Sequence, residues 1–363
     1  MKEDLALFLH SELSFSGVTE RLMATGEFMR ERGFVTCVAG SLGSRADMFR
    51  AHGWRVETLD LPTRWVTEPF AYARALRLVR HLNPALLVAT SATVASVASK
   101  MRKPYVLELN DEPRMRIPWS TRRLQAVIVP DSTMVAAVVN RGGLPRRRIR
   151  VLPHAPIVAP EFAELAAQSL TRDGALRLGC AGYLDDGHGT RAMLEAHRVL
   201  CDQGRAVELF IFGEGPMEHA LRKQAREMKL AEHTTISAPA APSAVKLLAS
   251  LDIYVSPMLE RSPGWLAHLA LALGLPTIFT TVSGAFELVK DGIDGRMVER
   301  GDAKALAAAI EEFCEDPSAA RDLGRRARSR WLASGRLDQF RAGWQELLSD
   351  IPSLQRAAGR RTP

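Results

Sequence analysis

Short, almost uninterrupted apolar runs alternate with helical stretches along most of this 363-residue chain. The runs "LALFLH" at 5–10 and "ALLVAT" at 85–90 are typical of the first half, and "LRLGCAG" at 176–182 and "VELFIFG" at 207–213 of the second. The other runs lie at 35–40, 55–59, 105–109, 126–130, 149–153, 234–239, 252–257, 276–281 and 295–299. Strands of a parallel sheet covered on both faces have this composition. The alternation therefore predicts the α/β class, with doubly wound parallel sheets.

The alternation is interrupted between Pro153 and Leu170, where prolines recur and no clear period is present. We interpret this stretch as the connection between two domains. The predicted N-terminal Rossmann-like domain covers residues 1–160, and a second Rossmann-like domain covers residues 171–334. A chain of this length suits two domains of ordinary size.

A long apolar stripe follows the second predicted sheet. Its members recur at three- and four-residue spacing, which indicates one amphipathic helix. They are Leu337, Phe340, Trp344, Leu347 and Ile351. Because the second sheet is complete before this helix begins, we predict that residues 335–352 pack back on the first domain.

The composition, with 47% hydrophobic and 25% charged residues, is that of a globular protein in water. No run approaches the roughly 18–20 apolar residues of a membrane span. Acidic residues flank the first apolar run, unlike those of a signal peptide. We therefore expect a cytoplasmic location.

The cysteines lack metal-ligand spacing, so we expect reduced thiols and no metal; they are Cys37, Cys180, Cys201 and Cys314.

The chain is basic, with a net charge of +7. Arginines concentrate in residues 114–123, 146–150 and 325–330, which leaves open a nucleic acid, an anionic membrane, a phosphorylated substrate or a merely solvated surface. Aromatic residues are not interleaved with these runs, so we expect no nucleic acid. The basic segment 61–82, with its aromatic residues, could touch the inner face of a membrane, although a core helix with a solvated basic face is the preferred interpretation.

Ligands of doubly wound folds bind beyond the carboxyl ends of the strands, where helices begin. In the first half, Gly17 opens a helix in "FSGVTE". In the second half, the loop "GYLDDGHG" begins at Gly182 and has the glycine-rich character of a phosphate loop, yet it contains no lysine or arginine. Tyr183 and His188 are its hydrogen-bonding candidates. Its two aspartates would repel a phosphate unless they cap the following helix.

Further loops offer candidate ligand contacts. Gly213 and Gly215 supply two of the three glycines of a dinucleotide fingerprint, which supports a nicotinamide cofactor only weakly and leaves a nucleotide or a phosphate open. Arg261 can hold a phosphate through two parallel hydrogen bonds. The remaining candidates are Pro216, Glu260, Gly264, Ser283, Gly284 and Glu287. If buried, Glu287 could bind a hydroxyl or cap a helix, and the structural role is slightly favoured.

The second half resembles the nucleotide-binding domain of GT-B glycosyltransferases of family 4. The motifs "GEGP", "ALGLP", "SGAFELVKDGIDG" and "GD" have the spacing of that family within residues 176–317. The first half resembles the family more loosely, through its glycine loop, "ELND" at 108–111 and "RVLPHAP" at 150–156. The terminal helix looks like the family's crossing helix.

This resemblance implies a GT-B fold, in which two Rossmann-like domains face a cleft that holds a nucleotide-sugar donor. It implies sugar transfer with retention of configuration and without a metal or other cofactor, because basic side chains and a helix N-terminus hold the leaving diphosphate. The expected acceptor is a glycan or a lipid-linked molecule of cell-surface polysaccharide or glycoconjugate synthesis. By resemblance, Asn110, Asp111 and Glu260 take the catalytic positions, and the glycine loops with Tyr183, His188 and Arg261 take the donor-binding positions.

The chain departs from the family pattern at several of these positions. Tyr183 and His188 replace an arginine and a lysine, and Asn110 replaces a histidine. The family's two glutamates align with Arg261 and Leu269, or with Glu260 and His268 after a one-residue slip. The departures keep open a catalytically weak or inactive glycosyltransferase-like binding or partner subunit. A GT-B epimerase or an unrelated nucleotide enzyme is the least favoured alternative.

Overall fold

The computed structural model describes residues 4–61, 69–113, 116–117, 119, 122–167, 174–238, 244–260, 262–351 and 354, without the side chains of residues 69 and 70. The chain divides into two compact units. The first comprises Met1–Ser14, Val18–His154 and Leu337–Pro363, and the second comprises Phe15–Gly17 and Ala155–Arg336. Three residues of the first loop, Phe15–Gly17, belong to the second unit.

The first unit is built on a seven-stranded parallel sheet in the order β3-β2-β1-β4-β5-β6-β7. Its strands are β1 Leu5–Glu12, β2 Val35–Ser41, β3 Arg55–Thr58, β4 Leu86–Ala89, β5 Tyr105–Glu108, β6 Leu124–Val129 and β7 Ile149–Val151. Its connecting helices are α1 Gly17–Arg30, α2 Ala46–Ala51, α3 Pro69–Leu82, α4 Ala92–Lys100 and α5 Met134–Asn140, and a 3₁₀ turn covers Arg146–Arg148. Every residue of the central strands β4 and β5 is buried, which is why these runs are continuously apolar.

The second unit contains a six-stranded parallel sheet in the order β10-β9-β8-β11-β12-β13. Its strands are β8 Leu176–Ala181, β9 Val207–Phe212, β10 Thr234–Ser237, β11 Ile253–Ser256, β12 Thr277–Thr280 and β13 Arg296–Val298. Its helices are α6 Pro160–Ala167, α7 Thr190–Asp202, α8 Glu218–Glu227, α9 Ala244–Ala249, α10 Trp265–Leu273, α11 Ala285–Leu288, α12 Ala303–Glu315 and α13 Pro317–Ala333. All thirteen predicted strands are present, and the predicted fold of two Rossmann-like parallel sheets is confirmed.

The stretch interpreted as the connection between the two domains contains a helix. Helix α6 begins at Pro160, where the fixed φ angle of proline suits a first helical position, and its buried alanines pack in the core of the second unit. The sequence pattern gave no signal for this helix. By contrast, Asp302 caps α12 as expected, accepting hydrogen bonds from the backbone nitrogens of Lys304 and Ala305 at 3.0 and 2.9 Å.

The terminal apolar stripe forms α14 Arg336–Asp350, whose residues from Leu337 onward belong to the first unit. The Phe340 ring meets the Phe28 ring of α1 edge-on, with centroids 6.2 Å apart. Gly343 lies against the Leu152 side chain, where a Cβ would be too close to the leucine methyl carbons. The stripe is thus buried on the first unit. No helix among the residues that the structure describes has the length and apolarity needed to cross a bilayer.

Candidate functional site

The sheet of the second unit changes direction between β8 and β11, and this switch point is where doubly wound folds bind ligands. The loop that follows β8 runs from Gly182 to Gly189 and leads into α7. The loop that follows β9 carries Gly213, Glu214 and Gly215. Both loops leave the sheet at its carboxyl edge, so backbone amides and the starts of helices gather there.

Backbone hydrogen bonds tie the loop after β8 to the loop after β9. The Leu184 nitrogen donates to the Glu214 carbonyl oxygen at 3.0 Å, and the Met217 nitrogen donates to the Leu184 carbonyl oxygen at 3.0 Å. Gly213 makes this approach possible, because a Cβ there would overlap the carbonyl oxygen of Gly182. The glycines that resemble half of a dinucleotide fingerprint therefore serve the contact between two loops.

The same β8 loop is joined to the loop after β11. The Leu259 nitrogen donates to the Gly187 carbonyl oxygen at 3.0 Å. Gly189 has a φ of 75°, and a Cβ on it would overlap the carbonyl oxygen of Pro257. The Thr280 hydroxyl, at the end of β12, donates to the Met258 carbonyl oxygen at 2.6 Å. Three loops at one edge of the sheet and the last residue of β12 are thus connected by short polar contacts.

The β8 loop presents different groups from those expected at a phosphate. His188 is buried, with Nε2 at 3.3 Å from the Ala181 carbonyl oxygen and Nδ1 at 3.4 Å from the Thr190 hydroxyl, and its ring fills the space beside Gly182. Asp185 caps the 3₁₀ turn Asp186–His188 rather than α7, accepting from the Gly187 nitrogen at 3.1 Å. His188 thus shapes the loop, and its contact with a donor stays a prediction. Tyr183 is 37% exposed.

Two of the predicted glycines meet at the start of α10. Gly264 precedes this helix without a side-chain cap, and a Cβ there would have no atom within 4 Å, so the helix start faces open space. A Cβ on Gly17 would lie 3.4 Å from the Trp265 backbone nitrogen. Gly17 belongs to the second unit with its neighbour Phe15, whose nitrogen donates to the Glu214 carboxylate. The first loop of the chain is therefore part of this edge.

Both positions that could replace the family's second glutamate lie inside the protein. Leu269 is 1% exposed and belongs to the core cluster of the second unit. His268 is buried, and its Nδ1 accepts a hydrogen bond from the Trp331 ring nitrogen of α13 at 3.3 Å. In either alignment, a buried side chain that packs in the protein interior therefore replaces the family's second carboxylate.

The other candidates of the second unit lie on the surface of the loops. The exposed residues are Pro216, Glu260, Ser283 and Glu287, whereas Gly284 is partly buried and precedes α11. Glu287 is exposed, so the condition of burial is not met, and its carbonyl oxygen accepts a hydrogen bond from Arg330 at 3.3 Å. Arg261 lies outside the described residues.

In the first unit, the carboxyl edge of the sheet brings a histidine and a threonine together. His10 Nδ1 lies 2.6 Å from the Thr90 hydroxyl, and both residues are buried. Burial lowers the pKa of His10 to about 4, against the opposing effect of a hydrogen bond with the Glu12 backbone. His10 is therefore neutral near pH 7. Its position was not predicted, although it directly precedes the loop that leads to Gly17.

Asn110 and Asp111 follow β5 at the same edge of the first sheet. The Asp111 side chain is exposed. The Asn110 side-chain oxygen is buried and has no hydrogen-bond partner among the residues that the structure describes. An unpaired buried acceptor costs about 1–3 kcal/mol, so this oxygen is suited to a ligand hydroxyl or a water.

A buried ion pair lies next to Asn110 at the carboxyl end of β5. Arg21 of α1 and Glu108 at the end of β5 are both almost completely buried and bonded to each other. The Arg21 guanidinium also reaches His154 Nδ1 at 3.0 Å and the Leu152 carbonyl oxygen at 2.9 Å. The motif "ELND" therefore contributes a structural glutamate beside its two candidate site residues. Among the described residues, no three His, Cys, Asp or Glu side chains are grouped as a metal site would require.

Comparisons with known proteins agree with this architecture. Residues 175–316 match the family model described as glycosyl transferases group 1. The putative colanic acid biosynthesis glycosyltransferase WcaL of Salmonella typhimurium is 28% identical over 195 residues, which are 52% of this chain and 47% of that protein. The D-inositol 3-phosphate glycosyltransferase of Pseudarthrobacter chlorophenolicus is 29% identical over 263 residues, which are 69% of this chain and 61% of that protein. The chain thus spans less than two thirds of these relatives.

Solved structures show the same fold at lower sequence similarity. Anabaena Alr3699/HepE, crystallised with UDP and glucose, superimposes with a TM-score of 0.75 at 16% identity, covering 96% of this chain and all of that one. The lipopolysaccharide glycosyltransferase WaaG superimposes with a TM-score of 0.71 at 14% identity, covering 96% and 99% of the two chains. The fold is GT-B, and residues 175–316 are similar to the group 1 glycosyltransferases.

Proposed function

We propose that this protein is a retaining, metal-independent glycosyltransferase of cell-surface polysaccharide or glycoconjugate synthesis. It would move a sugar from a nucleotide-sugar donor to a glycan or lipid-linked acceptor. The observation that carries the proposal is the set of connected loops at the carboxyl ends of β8, β9 and β11, together with the end of β12, which lies within the residues that match the family model. The names of the relatives, which include colanic acid synthesis, support the same class of product.

The donor diphosphate would bind at the start of α10. Gly264 leaves that helix start open, and the positive end of a helix dipole stabilises an anion there. Arg261, three residues earlier in the sequence, would supply the fixed positive charge that the β8 loop lacks. Tyr183, on the exposed face of that loop, would offer a neutral hydrogen bond in place of the family's arginine.

In the transfer step, the bond between the anomeric carbon and the diphosphate oxygen breaks while the acceptor hydroxyl oxygen bonds to the same face of that carbon. Negative charge grows on the leaving diphosphate, so cationic and backbone donors fixed at that position lower the barrier. The proton of the acceptor hydroxyl would pass to the leaving diphosphate oxygen. Asn110 and Asp111 of the first unit are the candidate acceptor contacts that the family resemblance suggests. We place the reaction in the cytoplasm, with acceptor delivery at the inner face of a membrane.

One observation favours a second candidate, a glycosyltransferase-like subunit with little catalysis. His188 stands where the family has a lysine, and its ring is buried with both nitrogens facing protein oxygens. The loop thus presents no cationic side chain between residues 182 and 189. If Arg261 does not take over this charge, donor binding would be too weak for turnover.

Calorimetric titration with a panel of UDP-, GDP-, ADP- and dTDP-hexoses tests the proposal. At least one donor should bind with a dissociation constant at or below about 1 mM, and its nucleoside diphosphate should compete with it. A chelator should leave the affinity unchanged. Absence of binding by every donor would support the second candidate and overturn the first.

A further inference from the structure

A polar cavity lies at the amino-terminal edge of the sheet of the first unit. Its volume is about 270 Å³, and its lining includes Gln125, Arg147, Arg148, Arg150, Leu347 and Asp350. Gln125 is near the start of β6, and the arginines surround the start of β7. The cavity therefore opens at the amino-terminal edge of the sheet, whereas Asn110 and Asp111 follow the carboxyl end of β5.

The charge of this cavity is unbalanced. Three arginines line it and one aspartate faces them. The closest pair between them, Arg150 and Asp350, is 3.8 Å apart, and the two side chains are 42% and 55% exposed. A pair of this length and exposure contributes little attraction. Among the described residues that line the cavity, the positive side chains therefore outnumber the negative one.

One of the arginines is held by the backbone around it. Arg147 and Arg148 lie on the 3₁₀ turn, and Arg150 is the second residue of the edge strand β7. Arg148 donates through one terminal nitrogen to the Gln125 carbonyl oxygen at 3.1 Å. The buried Leu347 side chain lines the cavity on the α14 side. A guanidinium group fixed in this way loses less entropy when it binds an anion.

A structural explanation of the arginines is that they balance the negative end of the α14 dipole. The interaction of a charge with the helix dipole is limited to the last turn of the helix, and it requires no cavity. The observed volume is just below the range typical of drug-sized ligands, and it suits a small anion with a few waters. Volume and charge together favour a ligand.

We propose that this cavity binds a phosphate-bearing anion, held by Arg147, Arg148 and Arg150, with Asp350 as the internal group that such an anion displaces from Arg150. Guanidinium groups bind phosphate oxygens through paired, charge-assisted hydrogen bonds. The site is independent of the proposed sugar transfer, because it lies at the other edge of the first sheet. The phosphate can belong to a soluble molecule or to a lipid headgroup.

Titration calorimetry of the full chain with inorganic pyrophosphate, at low ionic strength, tests the soluble source. The double variant Arg147→Gln/Arg150→Gln should weaken pyrophosphate binding at this site at least ten-fold. The control is Arg146→Gln, which removes one positive charge from the turn that carries Arg147 but does not line the cavity, and it should change the affinity less than two-fold. Asp350→Asn should tighten binding two- to ten-fold, because it removes the internal competitor.

Co-sedimentation with vesicles that contain phosphatidic acid tests the lipid source with the same variants. The site is supported if one of the probes binds Asp350→Asn most tightly, the wild-type protein and Arg146→Gln about equally, and the double variant most weakly. The probe that gives this order identifies the source of the phosphate. The proposal is overturned if neither probe binds the wild-type protein. It is also overturned if Arg146→Gln weakens binding as much as the double variant does, since the effect would then be one of general surface charge.

Discussion

At the scale of single residues, the glycines of the candidate site act through the space they leave. Gly213 was predicted as part of a nucleotide fingerprint, and the structure gives a steric reason for it, since the Gly182 carbonyl oxygen occupies the place of a side chain. Sequence alone indicates that a glycine follows a strand. It does not show which chain segment approaches that glycine, because the approach depends on the neighbouring strand in the sheet.

Gly213→Ala should lower the free energy of unfolding of the second unit by about 1–3 kcal/mol, because the new methyl group overlaps backbone that cannot easily move. Urea denaturation measures the loss. Gly264→Ala is the matched control, since its methyl group would meet no atom within 4 Å, and it should cost less than about 1 kcal/mol. Equal losses in the two variants would contradict the steric account.

His10 predicts a pH effect on stability. Burial lowers its pKa to about 4 in the folded state, from 6.5 in the unfolded chain. As the pH falls below 6.5, the unfolded chain takes up a proton before the folded protein does. The contribution of neutral His10 to the unfolding free energy is therefore fully present above pH 6.5 and is lost between pH 6.5 and 4. The loss should be about 3 kcal/mol.

His10→Gln should remove most of that pH dependence, measured as unfolding free energy from pH 7.5 to 4. Other buried histidines contribute equally to both proteins; one is His197, whose pKa burial also lowers. The informative quantity is therefore the difference between the two curves. Parallel curves would show that His10 is not held neutral by the fold.

Arg261→Ala should weaken donor binding roughly 30-fold or more, because a charge-assisted contact to the diphosphate is worth about 2 kcal/mol or more. Calorimetry with the best donor of the panel measures it. Arg325→Ala on α13 is the matched control, with a side chain that is 69% exposed, and it should leave the affinity within two-fold. Unchanged affinity for Arg261→Ala would refute its assignment to the diphosphate.

At the scale of elements, the apolar runs predicted all thirteen strands, because strands buried on both faces leave a continuous signal in the sequence. The apolar pattern contains no comparable signal for α6, where prolines recur and no clear period is present. Pro160 occupies the first helical position, at which a proline is tolerated, and the helix is only eight residues long. Short helices that begin at a proline leave no period to recognise.

Helix α14 illustrates an element that was predicted correctly from its stripe. Trp344 is fully buried, so Trp344→Ala should lower the unfolding free energy of the first unit by about 3–5 kcal/mol. The exposed neighbour Arg341 offers a control, and Arg341→Ala should cost less than about 1 kcal/mol. Thermal and urea denaturation measure both. A small loss for Trp344→Ala would mean that α14 is not needed by the first unit.

At the scale of the whole molecule, the sequence predicted two Rossmann-like parallel sheets, because apolar runs and helical periods are patterns that are local in the chain. It did not predict that Phe15–Gly17 belong with the second unit, or that Arg21 and Glu108 form a buried ion pair. These features join residues far apart in sequence. Periodicity gives no information about such pairs, and charged residues are ordinarily assigned to the surface.

The most direct test of the central claim is turnover. The protein, with a chelator present, is incubated with each nucleotide hexose and with a mixture of glycan and lipid-linked acceptors, and released nucleoside diphosphate is quantified. We expect release from at least one donor, with product of the same anomeric configuration as that donor by proton NMR. Donor binding without any release, with every acceptor and with water, would contradict the assignment as an active glycosyltransferase.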